Sequence, residues 1–322
     1  MWGGGAWSIP VCIGNYTDMF ISKEGRNYLL DYLKLHAEHF PDHPLVVITK
    51  SRLESRSLEQ MDDIGHPVLV FLSQSFAKAS NLSEIERGAI ATPADTTQNA
   101  ELINRTQNLH AIHFWRPITS RVIPTVDLAC RFLEPLQRAG MLASVAIGLK
   151  GGTFLEARTE DNQALLGNEV LPSSGEYIPS QLEELVLETG HRLDHPVYRH
   201  TSCAVALVME RHEALGTWRR NMRKELCEPC FCPDHQRARC DQARTVDSPP
   251  SEEILSDIRK RLMLSEDQVF WDSTTQVIRV KSVLNQEIHT RLTHLTGFRV
   301  LPNAIRQTRA WIGNIGPQWR AD

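Results

Sequence analysis

Short apolar runs recur along the chain, at residues 11–15, 45–49, 68–72, 111–115, 144–149 and 197–208. Between them lie stretches whose apolar residues repeat at helical spacing. Leu29, Leu30, Leu33, Ala37 and Phe40 line one such face, and Val126, Ala129, Leu133, Leu136 and Ala139 another. Turn residues punctuate the joins: Pro41-Asp42-His43-Pro44, Gly65-His66-Pro67, and Gly140. This alternation predicts parallel strands joined by right-handed crossovers, hence a barrel, a part-barrel or an open doubly wound sheet. No glycine-rich dinucleotide fingerprint follows the first run, which counts against a Rossmann sheet.

The alternation stops near Met209. Residues 210–247 are polar, basic and cysteine-rich, and Ser248-Pro249-Pro250-Ser251 reads as a linker or helix entry. Ser251 is placed to cap a helix through residue 261, followed by a strand at 276–280, a helix at 284–295 and a strand at 298–301. The expected organisation is a partial (β/α) barrel over 1–209, a metal-binding segment over 210–247 and a small α+β region over 248–322.

An apolar share of 41% and a charged share of 23% are those of a chain able to bury a core. A net charge of −4 neither demands nor excludes nucleic acid, so charge is read locally. No apolar stretch approaches the ~18–20 residues a spanning helix needs, and Met1-Trp2-Gly3-Gly4-Gly5 lacks a signal-peptide layout. A cytoplasmic location without membrane association is the expectation.

In parallel α/β domains, functional groups gather where strands run into the following loops. The first run leads into Asn15-Tyr16-Thr17-Asp18, the second into Thr49-Lys50-Ser51 and the third into Ser73-Gln74-Ser75. The fourth ends in His113-Phe114-Trp115-Arg116-Pro117 and the fifth in Lys150-Gly151-Gly152, while Tyr198-Arg199-His200-Thr201-Ser202 opens the sixth. Together they predict a rim suited to an anionic or zwitterionic ligand, with Lys50 and Arg116 pairing a carboxylate or phosphate. His36, His39 and His43 read as surface residues. His113 and His200, on predicted strands, read either as facing the barrel mouth or as core.

Four of the seven cysteines crowd into C-x2-C-x-C-x7-C: Cys227, Cys230, Cys232 and Cys240. Four thiolates so close can enclose zinc or hold an iron–sulfur cluster, with His235 as a substitute ligand, and the spacing does not choose between them. Around them lie Arg211, Arg219, Arg220, Arg223, Lys224, Arg237, Arg239, Arg244 and Trp218, diluted by Glu213, Glu225, Glu228, Asp234 and Asp241. The C-terminal stretch adds Arg291, Arg299, Arg306, Arg309 and Arg320 with Trp311 and Trp319. Arginine interleaved with tryptophan suits phosphate pairing and base stacking; a solvated mixed face is the competing reading.

The stretch Ile13-Gly14-Asn15-Tyr16-Thr17-Asp18-Met19-Phe20, with Glu24 following, resembles the radical S-adenosylmethionine superfamily, in particular the branch of the spore photoproduct lyases. Val46-Val47-Ile48-Thr49-Lys50-Ser51 is similar to that branch's next strand, Val70 to Phe76 to its serine-rich strand, and His113-Phe114-Trp115-Arg116-Pro117 to a later strand ending in Arg and Pro. The ordered series covers roughly residues 9–150. It implies a partial (β/α)6 barrel of TIM type, with S-adenosylmethionine held at the rim by Asp18, Lys50, Ser73, Ser75 and Arg116.

The chain departs from the family in two respects: the C-x3-C-x2-C motif that holds a [4Fe–4S] cluster is absent, and Met19 stands where the family has proline. A cluster strand preceding Met1, a cluster strand supplied by a partner chain, and loss of the chemistry with retention of the fold are the three explanations. Two functional readings compete. One is a radical-type enzyme that generates a 5′-deoxyadenosyl radical for an unknown substrate, nucleic acid among the candidates. The other is a metal-stabilised module that binds nucleic acid or protein without catalysis. A hydrolase with a catalytic metal at 227–240 is a third and weaker option, because four crowded cysteines favour a closed site.

Overall fold

The computed structural model describes residues 10–14, 17–76, 90–119, 122–123, 125–151, 175–177, 180–213, 231–243, 249–296 and 298–306. These divide into two compact units, one of residues 10–210 with 231–234, the other of 211–213 with 235–306.

The first unit alternates strand and helix: β1 (Val11–Ile13), α1 (Lys23–His39), β2 (Leu45–Thr49), α2 (Ser55–Asp62), β3 (Val68–Ser73), α3 (Pro93–Ile103), β4 (Leu109–Trp115), α4 (Val126–Arg138) and β5 (Ser144–Ala146). After β5 come β6 (Leu149–Gly151), β7 (Gly175–Tyr177), α5 (Ser180–Leu193), β8 (Val197–Tyr198) and α6 (Thr201–Val208). Capping fixes the helix starts: Ser22 accepts from the Gly25 amide, Thr125 from Leu128, and Thr92 and Asp95 form a reciprocal box before α3.

Six strands form one parallel sheet in the order β1-β2-β3-β4-β5-β8, each beside its predecessor. A doubly wound sheet reverses direction at a switch point and carries helices on both faces. Here there is no reversal, and burial shows that α1–α5 share one face. Their core residues, among them Leu29, Leu33, Leu58, Met61, Ile103, Leu133 and Val186, pack in one cluster with Leu45, Val47, Val68, Val70, Leu72, Leu109, Ala111, Trp115, Ala146 and Val197. Those strand residues all belong to one parity of the pleat. The other parity (Val46, Ile48, Leu69, Phe71, Ile112, Phe114, Val145 and Tyr198) is buried outside that cluster. The sheet is therefore singly wound, as a partial barrel requires. β5 begins level with His113 rather than with the start of β4, the stagger expected of barrel strands.

Four sequence expectations need correction. The run 197–208 is not one strand: only Val197–Tyr198 pairs with β5, and Thr201–Val208 is helix, so Cys203 is helical and His200 is its N-cap. The stretch is apolar only at its two ends, with Arg199, His200, Thr201 and Ser202 between them, and the alanines of its second half favour helix. The strand expected at 144–149 ends at Ala146, and Leu149–Gly151 leaves the sheet to pair antiparallel with Gly175–Tyr177. Lys150 thus does not end a strand of the parallel sheet. His36 is not a surface residue but 2% exposed, because it extends the Leu29–Leu33 face by one helical step and bonds the His43 carbonyl at 2.7 Å. Phe40, expected on that face, is instead exposed.

The second unit contains α7 (Asp234–Ala243, from residue 235 onward), α8 (Glu252–Leu262), β9 (Val269–Asp272), β10 (Val277–Asn285), α9 (Gln286–Thr296) and β11 (Val300–Arg306). Ser251 caps α8 by accepting from the Ile254 amide. The sheet order is β11-β10-β9, with β10 parallel to β11 and antiparallel to β9. The strand β9, its turn held by Asp272 accepting from Thr274, Thr275 and Arg279, has no counterpart in the sequence expectation. Leu255, Ile258 and Leu262 of α8 and Ile288 and Leu292 of α9 cover Val269, Ile278, Val280 and Val300.

Candidate functional site

The pleat that sends one parity of strand residues under the helices sends the other to the opposite face, and the rim residues inherit that alternation. Ser73 continues Leu69 and Phe71 on β3, and Arg116 continues Ile112 and Phe114 just beyond β4. Both sit on the face away from α1–α5. Arg116 donates from Nε to Ser73 Oγ at 3.3 Å, and its guanidinium lies 4.3 Å from the Phe114 ring centroid. Lys50 follows β2, one step beyond the Thr49–Leu72 pair, and so is level with Ser73. The structure thus gathers Lys50, Ser73 and Arg116 on consecutive strand ends. Ser73 and Ser75 are nearly fully buried, and Lys50 and Arg116 are half-buried, so the two cations are the accessible part of the rim.

Burial lowers the pKa of Arg116 from its ordinary value, partly opposed by the Cys12 thiol; guanidinium stays a cation throughout the working pH range. Among the described residues no carboxylate pairs with it. A desolvated cation without a counter-ion is costly, and an anionic ligand would relieve that cost. Cys12, exposed on β1, has the same pleat parity as Val46, its partner across the ladder.

Asp18 reaches the same rim but its oxygens are engaged. Oδ1 accepts from the Phe20 amide at 3.0 Å and Oδ2 from the Lys50 amide at 2.7 Å and Ser51 Oγ at 3.0 Å. Thr49 Oγ1 lies 2.9 Å from both oxygens. The carboxylate therefore ties the exit of β1 to the exit of β2. Gly14 completes that crossing: at φ 93° it passes so close to β2 that a Cβ would lie 2.4 Å from the Ile48 carbonyl oxygen.

Three further residues shape the rim: Gln74, which lies within the predicted rim run Ser73-Gln74-Ser75 without an assigned role, and Asn99 and Ser144, which the sequence reading did not single out. Asn99 of α3 donates to the Ser51 carbonyl and accepts from the Leu53 amide, both at 2.9 Å, fixing the loop after β2. Gln74 is 1% exposed and bonds through side chain and backbone to Ala91, Thr96, Phe76 and Phe114. Ser144 of β5 lies between two buried imidazoles, 3.1 Å from His113 Nδ1 and 2.9 Å from His195 Nε2, while His113 Nε2 meets the Gln74 carbonyl at 3.2 Å. Burial drives His113 down to about 3, with the Gln74 carbonyl opposing and His195 adding, and drives His195 down to about 4. His113 is thus a core histidine on the helix face, not a group at the barrel mouth. An asparagine inside an amphipathic helix and a glutamine beside a buried strand end were the available signals for Asn99 and Gln74.

Of the proposed metal ligands, Cys227 and Cys230 lie outside the described residues, as do Trp218, Arg219, Arg220, Arg223, Lys224 and Arg244. Cys232 Sγ lies 3.8 Å from both Tyr198 Oη and the Pro233 carbonyl oxygen. Cys240 accepts from the Glu213 amide at 3.2 Å and from Gln236 at 3.6 Å, and His235 is exposed on α7. Among the described residues no group of three or more His, Cys, Asp or Glu is arranged to hold a metal. A [4Fe–4S] cluster with an open iron at the rim needs three thiolates there. Cys12 lies on β1, Cys130 on α4 and Cys203 on α6, so these described thiols do not fit it. No described helix is long and apolar enough to cross a membrane.

No family model and no curated protein matches the chain. Among solved structures, a radical S-adenosylmethionine methyltransferase from Kitasatospora setae, bound to tryptophan and to the analogue aza-SAM, aligns with a TM-score of 0.30 at 14% identity. The alignment covers 42% of this chain and 26% of that enzyme.

Proposed function

We propose that the first unit binds S-adenosylmethionine at its strand-end rim, as the cofactor-holding part-barrel of a radical S-adenosylmethionine-type protein. The observation that carries this reading is Arg116. It is a half-buried guanidinium oriented by Ser73 and by the Phe114 ring, without a carboxylate among the described residues. Its Nε is occupied by Ser73, which leaves the terminal nitrogens to meet a ligand carboxylate, the geometry for which guanidinium is suited. Lys50, level with Ser73 on the neighbouring strand, adds the second positive charge. Asp18 keeps the exits of β1 and β2 together rather than touching the ligand. The motif series in the sequence and the singly wound parallel sheet support the same reading.

Bound S-adenosylmethionine supplies a sulfonium whose reductive cleavage yields the radical in enzymes of this type. The cluster that performs that cleavage has no fitting ligand set among the described residues, so no radical step is assigned to them. Their part is binding and orientation.

Calorimetric titration with S-adenosylmethionine tests the proposal. The wild-type chain should bind saturably. A charge-assisted hydrogen bond contributes roughly 1.5–3 kcal/mol, so Arg116→Ala should weaken binding about 10- to 100-fold. 5′-Methylthioadenosine, which lacks the aminocarboxylate, should bind both proteins with equal and lower affinity. Absence of saturable binding, or an Arg116→Ala affinity equal to wild type, would refute it.

A further inference from the structure

The carbonyl of Gln74 can only accept, so the imidazole nitrogen that meets it, His113 Nε2, must carry a hydrogen. In a neutral ring Nδ1 is then a lone pair, and the Ser144 hydroxyl must donate to it. Having spent its one hydrogen, Ser144 Oγ can only accept from His195, whose Nε2 must therefore be protonated. The chain of donors runs one way, from His195 through Ser144 and His113 to the Gln74 backbone. All three side chains are 2% exposed or less, so bulk solvent does not compete for these bonds.

The far end of this chain lies inside the rim. Gln74 separates Ser73 from Ser75, and its Oε1 accepts from the Phe76 amide at 3.0 Å. Phe76 has φ 64°, a left-handed conformation that a bulky residue adopts only when its surroundings hold it there. It is clamped by stacking on Phe132 at 4.6 Å and by edge contact with Trp115. Strand β4 and its exit thus grip the exit of β3 from both faces: His113 holds the Gln74 carbonyl on the helix face, and Arg116, just beyond β4, holds Ser73 Oγ on the other.

We infer that His113 is a positioning residue for the rim, kept in its Nε2–H tautomer by Ser144 and His195, and that it sets the affinity of the Ser73–Arg116 pair without touching the ligand. This rests on the proposed binding of S-adenosylmethionine at that rim.

Three measurements on the full chain test it, and two do not depend on the ligand. Imidazole 15N shifts should show His113 and His195 as neutral Nε2–H tautomers from pH 8 to 5.5, with the His113 signature altered in Ser144→Ala. Hydrogen exchange at the Phe76 amide should accelerate in His113→Leu and return toward wild type in His113→Gln, whose amide can donate to Gln74. S-adenosylmethionine affinity should follow the same order, about tenfold weaker in His113→Leu and near wild type in His113→Gln. If His113→Leu does not fold, Ser144→Ala and His113→Gln are compared with wild type in its place. A folded His113→Leu with unchanged Phe76 protection, or an Nδ1–H tautomer at His113, overturns the positioning role. Wild-type protein that binds no S-adenosylmethionine but shows the expected exchange pattern refutes the ligand assignment and leaves the positioning of the segment standing.

Discussion

Lowering the pH from 7 to 4.5 perturbs the buried imidazoles before it reaches the carboxylates with shifted pKa values. His113 and His195 fall from an ordinary 6.5 to about 3 and about 4, so the folded protein keeps them neutral while the unfolded chain takes up protons below 6.5. Stability is therefore intact above about 6.5 and is lost progressively as pH falls toward 4 and then 3. At pH 4.5 each ring has passed about two units below its unfolded value, which at ~1.4 kcal/mol per unit costs roughly 2–3 kcal/mol. Together they remove about 5 kcal/mol, comparable with the whole stability of a marginal domain. His66 and His110, also lowered by burial, act in the same direction. Asp62, where hydrogen bonds from Asn108 and Gln107 outweigh burial, and Asp272, held at about 2 by Thr275, lose their stabilising effect only below 3.8. Urea unfolding followed by circular dichroism at pH 7, 6, 5 and 4.5 gives the slope for wild type and for His113→Gln/His195→Gln. The double variant, with non-titrating amides in both places, should lose much less stability across that window. Equal slopes in the two proteins would refute the burial argument.

Asp18→Asn should lower stability by roughly 2–3 kcal/mol, because an amide presents hydrogens to the amide of Lys50 and the hydroxyls of Thr49 and Ser51 where an acceptor is needed; thermal denaturation reads the loss, and an unchanged midpoint contradicts the clamp. Gly14→Ala should cost at least about 1–3 kcal/mol, since the new Cβ collides with the Ile48 carbonyl at a positive φ, and a variant as stable as wild type would show that the β1 exit is free to move. Iodoacetamide should modify Cys12, an exposed thiol close enough to Arg116 to interact with it electrostatically, more slowly when S-adenosylmethionine is bound. Peptide mass spectrometry follows Cys12 against Cys130 in the same sample, and protection of neither or of both to the same degree counts against rim occupancy.

Strands β2, β3 and β4 were legible because each is a compact apolar run bracketed by turn residues, and the polar residues after them fell at one rim for the same reason. The face each residue occupies was not legible. It depends on which side the helices cross, so His113 and Arg116, three residues apart, could not be separated into framework and ligand-facing groups until α1–α5 were seen on one side. The run 197–208 failed for a different reason: the polar residues 199–202 divide it into a short strand and a helix, and its continuous apolar part, 203–208, has no period that tells strand from helix. The spacing of His36 from Leu29 and Leu33 marks the buried face, whereas its polarity points to the surface, and periodicity is the stronger of the two signals here. The resemblance implies Asp18 as a ligand group, whereas its oxygens are taken up by Thr49, Lys50 and Ser51 at the exit of β2, 31 to 33 residues away, and no local pattern announces those bonds.

The most direct measurement is the structure of the full chain with S-adenosylmethionine bound. The proposed function predicts the aminocarboxylate against the terminal nitrogens of Arg116 on the face opposite α1–α5, with Lys50 beside it and the Asp18 bonds to Thr49, Lys50 and Ser51 unchanged. Ligand bound away from the ends of β2, β3 and β4, or a carboxylate that ignores Arg116 at a fully occupied site, would contradict it.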